Sequence, residues 1–219
     1  NISASNYHNL ANLNKTTEET MASFQSSFAL ATENGLAVSG SIACPFGSPW
    51  DGEIPIDNVK KIIEAYLKAG VSEISISDAP GMATPGQVYG MMVELQDTFP
   101  EVKYILHFHN TRGMAVANII AGMDAGVTWF DTAFAGVGGC PFVPGAAGNV
   151  SSEDVVHMFS EMGVETGIDL DKVIAIGRRV EEIINRRADS YVLHAGKNKD
   201  LLKELPTGQL KNQTELKTQ

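Results

Sequence analysis

The chain has 219 residues, with 16 Lys and Arg against 26 Asp and Glu, for a formal net charge of −10. That length suits one domain with a sizeable core, and the acidic balance opposes general binding to nucleic acid or anionic membranes. Cys44 and Cys140 are the two cysteines, they lack metal-type pair spacing, and nothing resembles a signal peptide or a membrane-length apolar run, so a cytoplasmic protein without membrane contact is expected.

The chain begins at Asn1, not Met, and reads as a beginning made by truncation or processing. Ile2-Ser-Ala-Ser5 reads as the end of a strand running into a loop. Thr16-Thr-Glu-Glu19 has capping-box spacing, and an apolar helical pattern runs from it to Asn34, with Gly35 as its stop. Leu36 to Ala43 reads as a strand, and Cys44 to Gly52 as a loop dense in turn residues. The next helix starts near Asp57, with Val59, Ile62, Ile63, Tyr66 and Leu67 on one stripe and Gly70 as its stop.

Val71 to Ser77 reads as a strand ending at Asp78. Thr84-Pro85 opens a helix, with proline in its first turn. Lys103 to His109 is a strand, Gly113 to Ala125 a helix and Val127 to Ala133 a final strand. Ser151 to Met162 and Asp169 to about Arg187 are helices. The pairs Arg178-Arg179 and Arg186-Arg187 on the last helix read as a solvated face. Residues 1–196 form the folded domain, and 197–219 a polar C-terminal tail. Lys68-Ala-Gly-Val-Ser72 and Asp124-Ala-Gly-Val-Thr128 repeat one helix-to-strand joint. The alternation predicts parallel βαβ units, as a β/α barrel or an open doubly wound sheet. Four or five strands fall short of the eight, and the roughly 250 residues, of a complete barrel.

Three features carry chemistry. In Lys103-Tyr-Ile-Leu-His-Phe-His109, period-two geometry puts Lys103, Ile105, His107 and His109 on one face and Tyr104, Leu106 and Phe108 on the other. Two imidazoles at i and i+2 near the carboxyl end of a parallel strand can share a metal ion; they can equally be hydrogen-bonded structural histidines. Asp78 ends a neighbouring strand, as a site residue or as a cap for the turn that follows. The loop Gly136-Val-Gly-Gly-Cys140-Pro-Phe-Val-Pro-Gly-Ala-Ala-Gly148-Asn149 places one thiol among glycines and prolines. It reads as a site loop or a tight turn with a half-buried cysteine, and Asn149 as a metal ligand or a helix cap. Asp131 stands in an apolar strand and needs a partner, for which Lys103 is the inward candidate by parity.

Taken together, Ser3-Ala-Ser5, Ile74-Ser-Ile-Ser-Asp78 with Thr84-Pro-Gly86, His107-Phe-His-Asn-Thr-Arg-Gly113 and Gly136 through Asn149 resemble the 3-hydroxy-3-methylglutaryl-CoA lyase family, over roughly residues 1 to 190. The resemblance implies a (β/α)8 TIM barrel, here a partial barrel lacking the first strands. It implies cleavage of a 3-hydroxyacyl-CoA to acetyl-CoA and a keto acid, with His107, His109 and Asn149 ligating Mg2+ or Mn2+. Cys140 would act as acid or base at the reacting carbon, Asp78 and Arg112 would touch the substrate, and the protein would form a homodimer. The family's further metal-ligating aspartate, its neighbouring arginine and a functional glutamate belong to earlier strands, outside this sequence.

Two departures bear on the substrate. Lyases of the best-known type resemble His-Asp-Thr-Tyr-Gly where this chain has His109-Asn-Thr-Arg-Gly113, and Ser-Ala-Ser-Glu where it has Asn6. The acyl group therefore need not be 3-hydroxy-3-methylglutaryl. One rival is a Claisen-type synthase, whose relatives resemble Gly-x-Gly-Glu-Arg-Ala-Gly-Asn in the loop where Cys140 stands here. The other is a non-catalytic partial-barrel module, since open parallel edges favour association.

Overall fold

A computed structural model describes residues 1–143 and 145–201. Five strands form one parallel sheet: β1 (Ile2–Ser3), β2 (Gly40–Ala43), β3 (Glu73–Asp78), β4 (Lys103–Phe108) and β5 (Phe130–Asp131). Their spatial order is β1-β2-β3-β4-β5, identical to chain order, and every pairing is parallel. A doubly wound sheet reverses direction at a switch point; this one does not, and the strands follow one another as in a barrel wall. Beyond β5, Ala133 bridges Ser151 in parallel and Val150 donates to the Phe108 carbonyl at 3.1 Å, so the chain closes over the end of β4.

The helices are α1 (Asn6–Leu13), α2 (Thr17–Ala22), α3 (Phe24–Glu33), α4 (Ile56–Lys68), α5 (Pro85–Thr98), α6 (Ala115–Asp124), α7 (Ser152–Glu161), α8 (Leu170–Ile184) and α9 (Tyr191–Ala195). Thr16 and Thr84 form complete capping boxes with Glu19 and Gln87, while Ser151 and Asp169 cap α7 and α8. Each cap satisfies helical N–H groups that have no intrahelical partner. The single helix expected from Thr16 to Asn34 is instead two, because the chain breaks at Ser23, whose hydroxyl donates to the Thr20 carbonyl at 2.7 Å. The strands expected over Leu36–Ala43 and Val127–Ala133 shorten to four and two residues, the lengths their neighbours can pair. The segment after Ser5, expected as loop, is helix α1. Of the expected tail, residues 198–201 form a 3-10 turn and residues 202–219 lie outside the described residues.

The core lies between the sheet and its outer helices. Ile42, Ile74, Ile76, Leu106 and Phe108 are essentially inaccessible, and they meet Val59, Ile62, Ile63 and Tyr66 of α4, then Val88, Met92 and Leu95 of α5. Each large aliphatic side chain so buried contributes about 1.5–3 kcal/mol of transfer free energy. Gly40 has a steric reason: a β-carbon there would stand 2.8 Å from the Tyr66 ring, whose hydroxyl donates to the Ser41 carbonyl at 3.1 Å. The predicted two-face division of β4 holds, with Tyr104, Leu106 and Phe108 buried and Lys103, Ile105 and His107 half-exposed on the concave side.

Candidate active site

Register assembles the site. Ser3, Ala43, Ser77, His107 and Asp131 are successive partners across all five strands, so a single row crosses the concave face near the carboxyl ends. Catalytic groups of β/α barrels gather at that end. The concave face encloses a cleft of about 620 Å³, lined among others by His8, Ser77, His107, His109, Asp131 and Cys140.

His107 keeps 27% of its side chain exposed, and its Nδ1 lies 3.8 Å from an Asp131 oxygen. Asp131 thus finds an imidazole and the Ser75 hydroxyl, at 3.5 Å. The expected partner, Lys103, instead bonds Glu73 at 2.7 Å and stands 3.6 Å from the centre of the Trp129 ring. Glu73 and Lys103 are register partners, which decides the competition.

His109 is 7% exposed, and its ring centre lies 5.3 Å from that of His107. Burial first, and the neighbouring His107 second, push its pKa down to about 4, so at neutral pH it is uncharged and keeps a lone pair for a ligand. Asn149 faces it across an isolated antiparallel bridge, flanked by Asn110 N to Gly148 O at 2.9 Å and Val150 N to Phe108 O at 3.1 Å. The Asn149 amide nitrogen donates to the Val137 carbonyl at 2.9 Å. That leaves two buried atoms on bridge partners without a hydrogen bond, His109 Nδ1 and Asn149 Oδ1.

Unpartnered buried acceptors are costly, and a divalent cation satisfies both a nitrogen and an amide oxygen. Of the three sequence candidates, His109 and Asn149 offer such unpartnered atoms, while His107 turns its Nδ1 toward Asp131, and two imidazoles and an amide do not complete a coordination shell. Among the described residues no group of three His, Cys, Asp or Glu side chains could hold an ion.

The glycine loop serves this arrangement. Gly136, Gly138, Gly145 and Gly148 all have positive φ, where a β-carbon is strained. A β-carbon on Gly138 would overlap the Asn149 amide, and one on Gly148 would stand 2.6 Å from the Gly136 carbonyl oxygen. Cys140 is half-buried, with its Sγ 3.6 Å from His8 Nε2. His8 was not singled out in the sequence; it sits on α1, whose first turn has no acidic residue to announce it.

Two sequence candidates lie elsewhere. Asp78 is 1% exposed and its oxygens accept from the backbone N–H groups of Met82 and Ala83, both at 2.9 Å. The turn-capping alternative accounts for it, and Asp78 does not line the cleft. Burial raises its pKa, against those amide bonds and Arg112, which lower it. Arg112 is exposed and donates to the Pro80 and Gly81 carbonyls at 3.0 and 3.3 Å, bracing the same turn from outside.

A second cavity of about 560 Å³ opens on the far side of Asn149, lined by Asn110, Gly148, Arg187, Ser190, Tyr191 and His194 among others. Arg187 lies beyond the end of α8, where the chain turns toward α9, and lines this cavity while remaining exposed.

Parallel strands in chain order, with paired histidines at the carboxyl end of one of them, define a partial β/α barrel. Residues 1–180 match the HMGL-like family model, and the chain belongs to that family. It is 35% identical over 197 residues to the hydroxymethylglutaryl-CoA lyase YngG of Bacillus subtilis, covering 90% of this chain and 66% of that protein. To the (R)-citramalyl-CoA lyase of Chloroflexus aurantiacus it is 40% identical over 196 residues, covering 89% of this chain and 62% of that one. The chain thus spans less than two thirds of these curated relatives. An HMG-CoA lyase structure from Acinetobacter baumannii, in complex with coenzyme A and 3-methylmalate, superposes with TM-score 0.88 at 38% identity, over 94% of this chain and 67% of that one.

Proposed function

We propose that this chain is the later part of an acyl-CoA lyase that cleaves a 3-hydroxyacyl-CoA, such as 3-hydroxy-3-methylglutaryl-CoA, into acetyl-CoA and a keto acid such as acetoacetate. The observation that carries the reading is the pair of unpartnered buried atoms on bridge partners, His109 Nδ1 and Asn149 Oδ1, where His109 lines the cleft together with His107 and Cys140.

Retro-Claisen cleavage breaks the C2–C3 bond. Its electron pair passes to the thioester enolate, the C3 hydroxyl gives up its proton to a base, and C2 gains one. His107, His109 and Asn149 would hold Mg2+ or Mn2+, which when bound would acidify the C3 hydroxyl. Cys140 gives its thiol proton to C2 as a positioned acid, since no other thiol stands at the cleft: Cys44 is fully buried, with a pKa pushed up to about 12 by that burial. The cavity beyond Asn149 takes part of the coenzyme A moiety, with Arg187 offered to its phosphates. Asp78 and Arg112 act indirectly, by fixing the turn after β3. A homodimer and a cytoplasmic location belong to the same proposal; among the described residues, no helix is long and apolar enough to cross a membrane.

The relative at 40% identity makes a citramalyl-type acyl group the second candidate substrate. The test is cleavage by the protein expressed from its full coding sequence, with Mn2+ or Mg2+, on 3-hydroxy-3-methylglutaryl-CoA and both citramalyl-CoA enantiomers. One of these is cleaved, and Cys140→Ala abolishes turnover. Unchanged cleavage by Cys140→Ala sinks the acid role. Condensation of acetyl-CoA with a 2-keto acid, without cleavage, replaces the lyase by a synthase.

A further inference from the structure

His8 and Cys140 lie 132 positions apart and meet at the cleft, Nε2 to Sγ at 3.6 Å. His8 is only 2% exposed, and its other nitrogen, Nδ1, is buried without a hydrogen-bond partner. Its backbone is fixed by the Ser5 hydroxyl, which accepts from His8 N at 3.0 Å, and Trp50 flanks the ring with centres 6.0 Å apart. Cys140 by contrast sits on a loop with positive-φ glycines on both sides. The rigid member of the pair is the histidine.

We propose that His8 is the positioning residue for Cys140: it holds Sγ at the cleft through an Nε2–H donor and stabilises the thiolate that remains once the thiol proton has left. This rests on the reading of Cys140 as the proton donor. The tautomer follows from accounting for both nitrogens. An imidazole with hydrogen on Nε2 leaves only a lone pair at the unpartnered Nδ1, whereas the other tautomer would strand an N–H donor there. The N–H to sulfur bond strengthens when sulfur becomes anionic, so it assists the transfer to carbon without itself reaching the substrate.

The environment keeps the ring neutral. Burial lowers the pKa of His8, no ion pair among the described residues includes it, and the ring projects from the first turn of α1, where the helix end disfavours positive charge. The titratable groups that share the cleft with His8 and Cys140 are the Asn1 terminus, Glu73, His107, His109 and Asp131, while Asp51, held by the Ser5 hydroxyl, and buried Asp78 and Cys44 lie behind it.

The test reads the thiol directly. Alkylation of Cys140 by iodoacetamide is followed by mass spectrometry across pH in the 219-residue chain, with buried Cys44 as the internal slow control. His8→Phe and His8→Met, two non-donors of differing shape, slow alkylation about tenfold near neutral pH and displace its profile upward; His8→Gln, which restores an amide donor, recovers most of the rate. Circular dichroism identifies which variants are folded, and either non-donor suffices. In the full-length enzyme, the same non-donors lower kcat with KM retained. A wild-type alkylation rate and profile in the folded non-donors overturns the pairing. If the alkylation result holds while Cys140→Ala still cleaves substrate, the acid reading fails and the pairing stands; if Cys140→Ala is inactive while alkylation ignores residue 8, the pairing alone fails.

Discussion

Gly138 and Asn149 are in direct steric registration: Gly138, at φ +125°, leaves the space the Asn149 amide occupies, and a β-carbon there would overlap the amide nitrogen. Gly138→Ala therefore meets two costs, a left-handed backbone for an L side chain and expulsion of the amide from its bond to the Val137 carbonyl. The expected loss is about 1–3 kcal/mol of stability, with a fall in Mn2+ affinity of at least about tenfold, a factor that 1.4 kcal/mol of displaced-ligand energy produces. Denaturant melts and Mn2+ titration check the two effects separately, and unaltered Mn2+ binding would remove Asn149 from the ligand set.

Asp78 is tied to fold stability. Its carboxylate satisfies the Met82 and Ala83 amides while almost wholly buried. Asp78→Ala would strand both donors, for an expected destabilisation of about 2–4 kcal/mol. Arg112→Ala, at an exposed site where the guanidinium only braces two carbonyls, should cost under about 1 kcal/mol. Urea midpoints on both variants separate a cap from a surface brace, and equal midpoints would refute the assignment.

Strong local signals made much of the architecture legible in the sequence: the caps at Thr16, Thr84, Ser151 and Asp169, and the two-face alternation of β4. Helix α1 was not legible, because Asn-Tyr-His-Asn-Leu-Ala-Asn-Leu carries no acidic first turn and exposes Tyr7, Leu10 and Leu13. With α1 went His8, and hence the partner of Cys140. Parity put Lys103 and Asp131 on one face but could not supply register, which gives Lys103 to Glu73 and Asp131 to His107. Asp78 shows the same limit: a carboxylate at a strand end is equally well placed to cap or to catalyse, and only the positions of the Met82 and Ala83 amides choose between them.

Glu153 gives a pH dependence. It is fully buried in the first turn of α7, both oxygens accept from the Ala135 amide at 2.9 and 3.0 Å, and burial raises its pKa above the ordinary carboxylate value. A group whose folded pKa is raised contributes stability that is present below its unfolded pKa and lost as pH rises through the folded one. The contribution of Glu153 should thus decline from about pH 4.5 upward through the raised value, so Glu153→Gln, which keeps an acceptor for Ala135, should gain on the wild type between pH 5 and pH 8. Denaturant midpoints at pH 5 and pH 8 test this; parallel pH trends would show that Glu153 does not titrate abnormally.

The three ligand candidates should differ in what their loss does. His109 and Asn149 each leave a buried acceptor unsatisfied in the protein alone, so a cation relieves a cost already present, while His107 is partly exposed and has Asp131 for company. Removing the metal with a chelator should therefore lower the melting temperature of the wild type, by mass action on a site that binds only the folded chain. Asn149→Ala and His109→Ala should abolish that response, with at least about a hundredfold weaker Mn2+ binding, the loss of about 2.7 kcal/mol. His107→Ala should weaken binding as well, yet in the absence of metal it should melt close to the wild type, since its removal empties no buried position. A chelator response that survives in Asn149→Ala would move the cation away from the glycine loop, and with it the reason for four positive-φ glycines around Cys140.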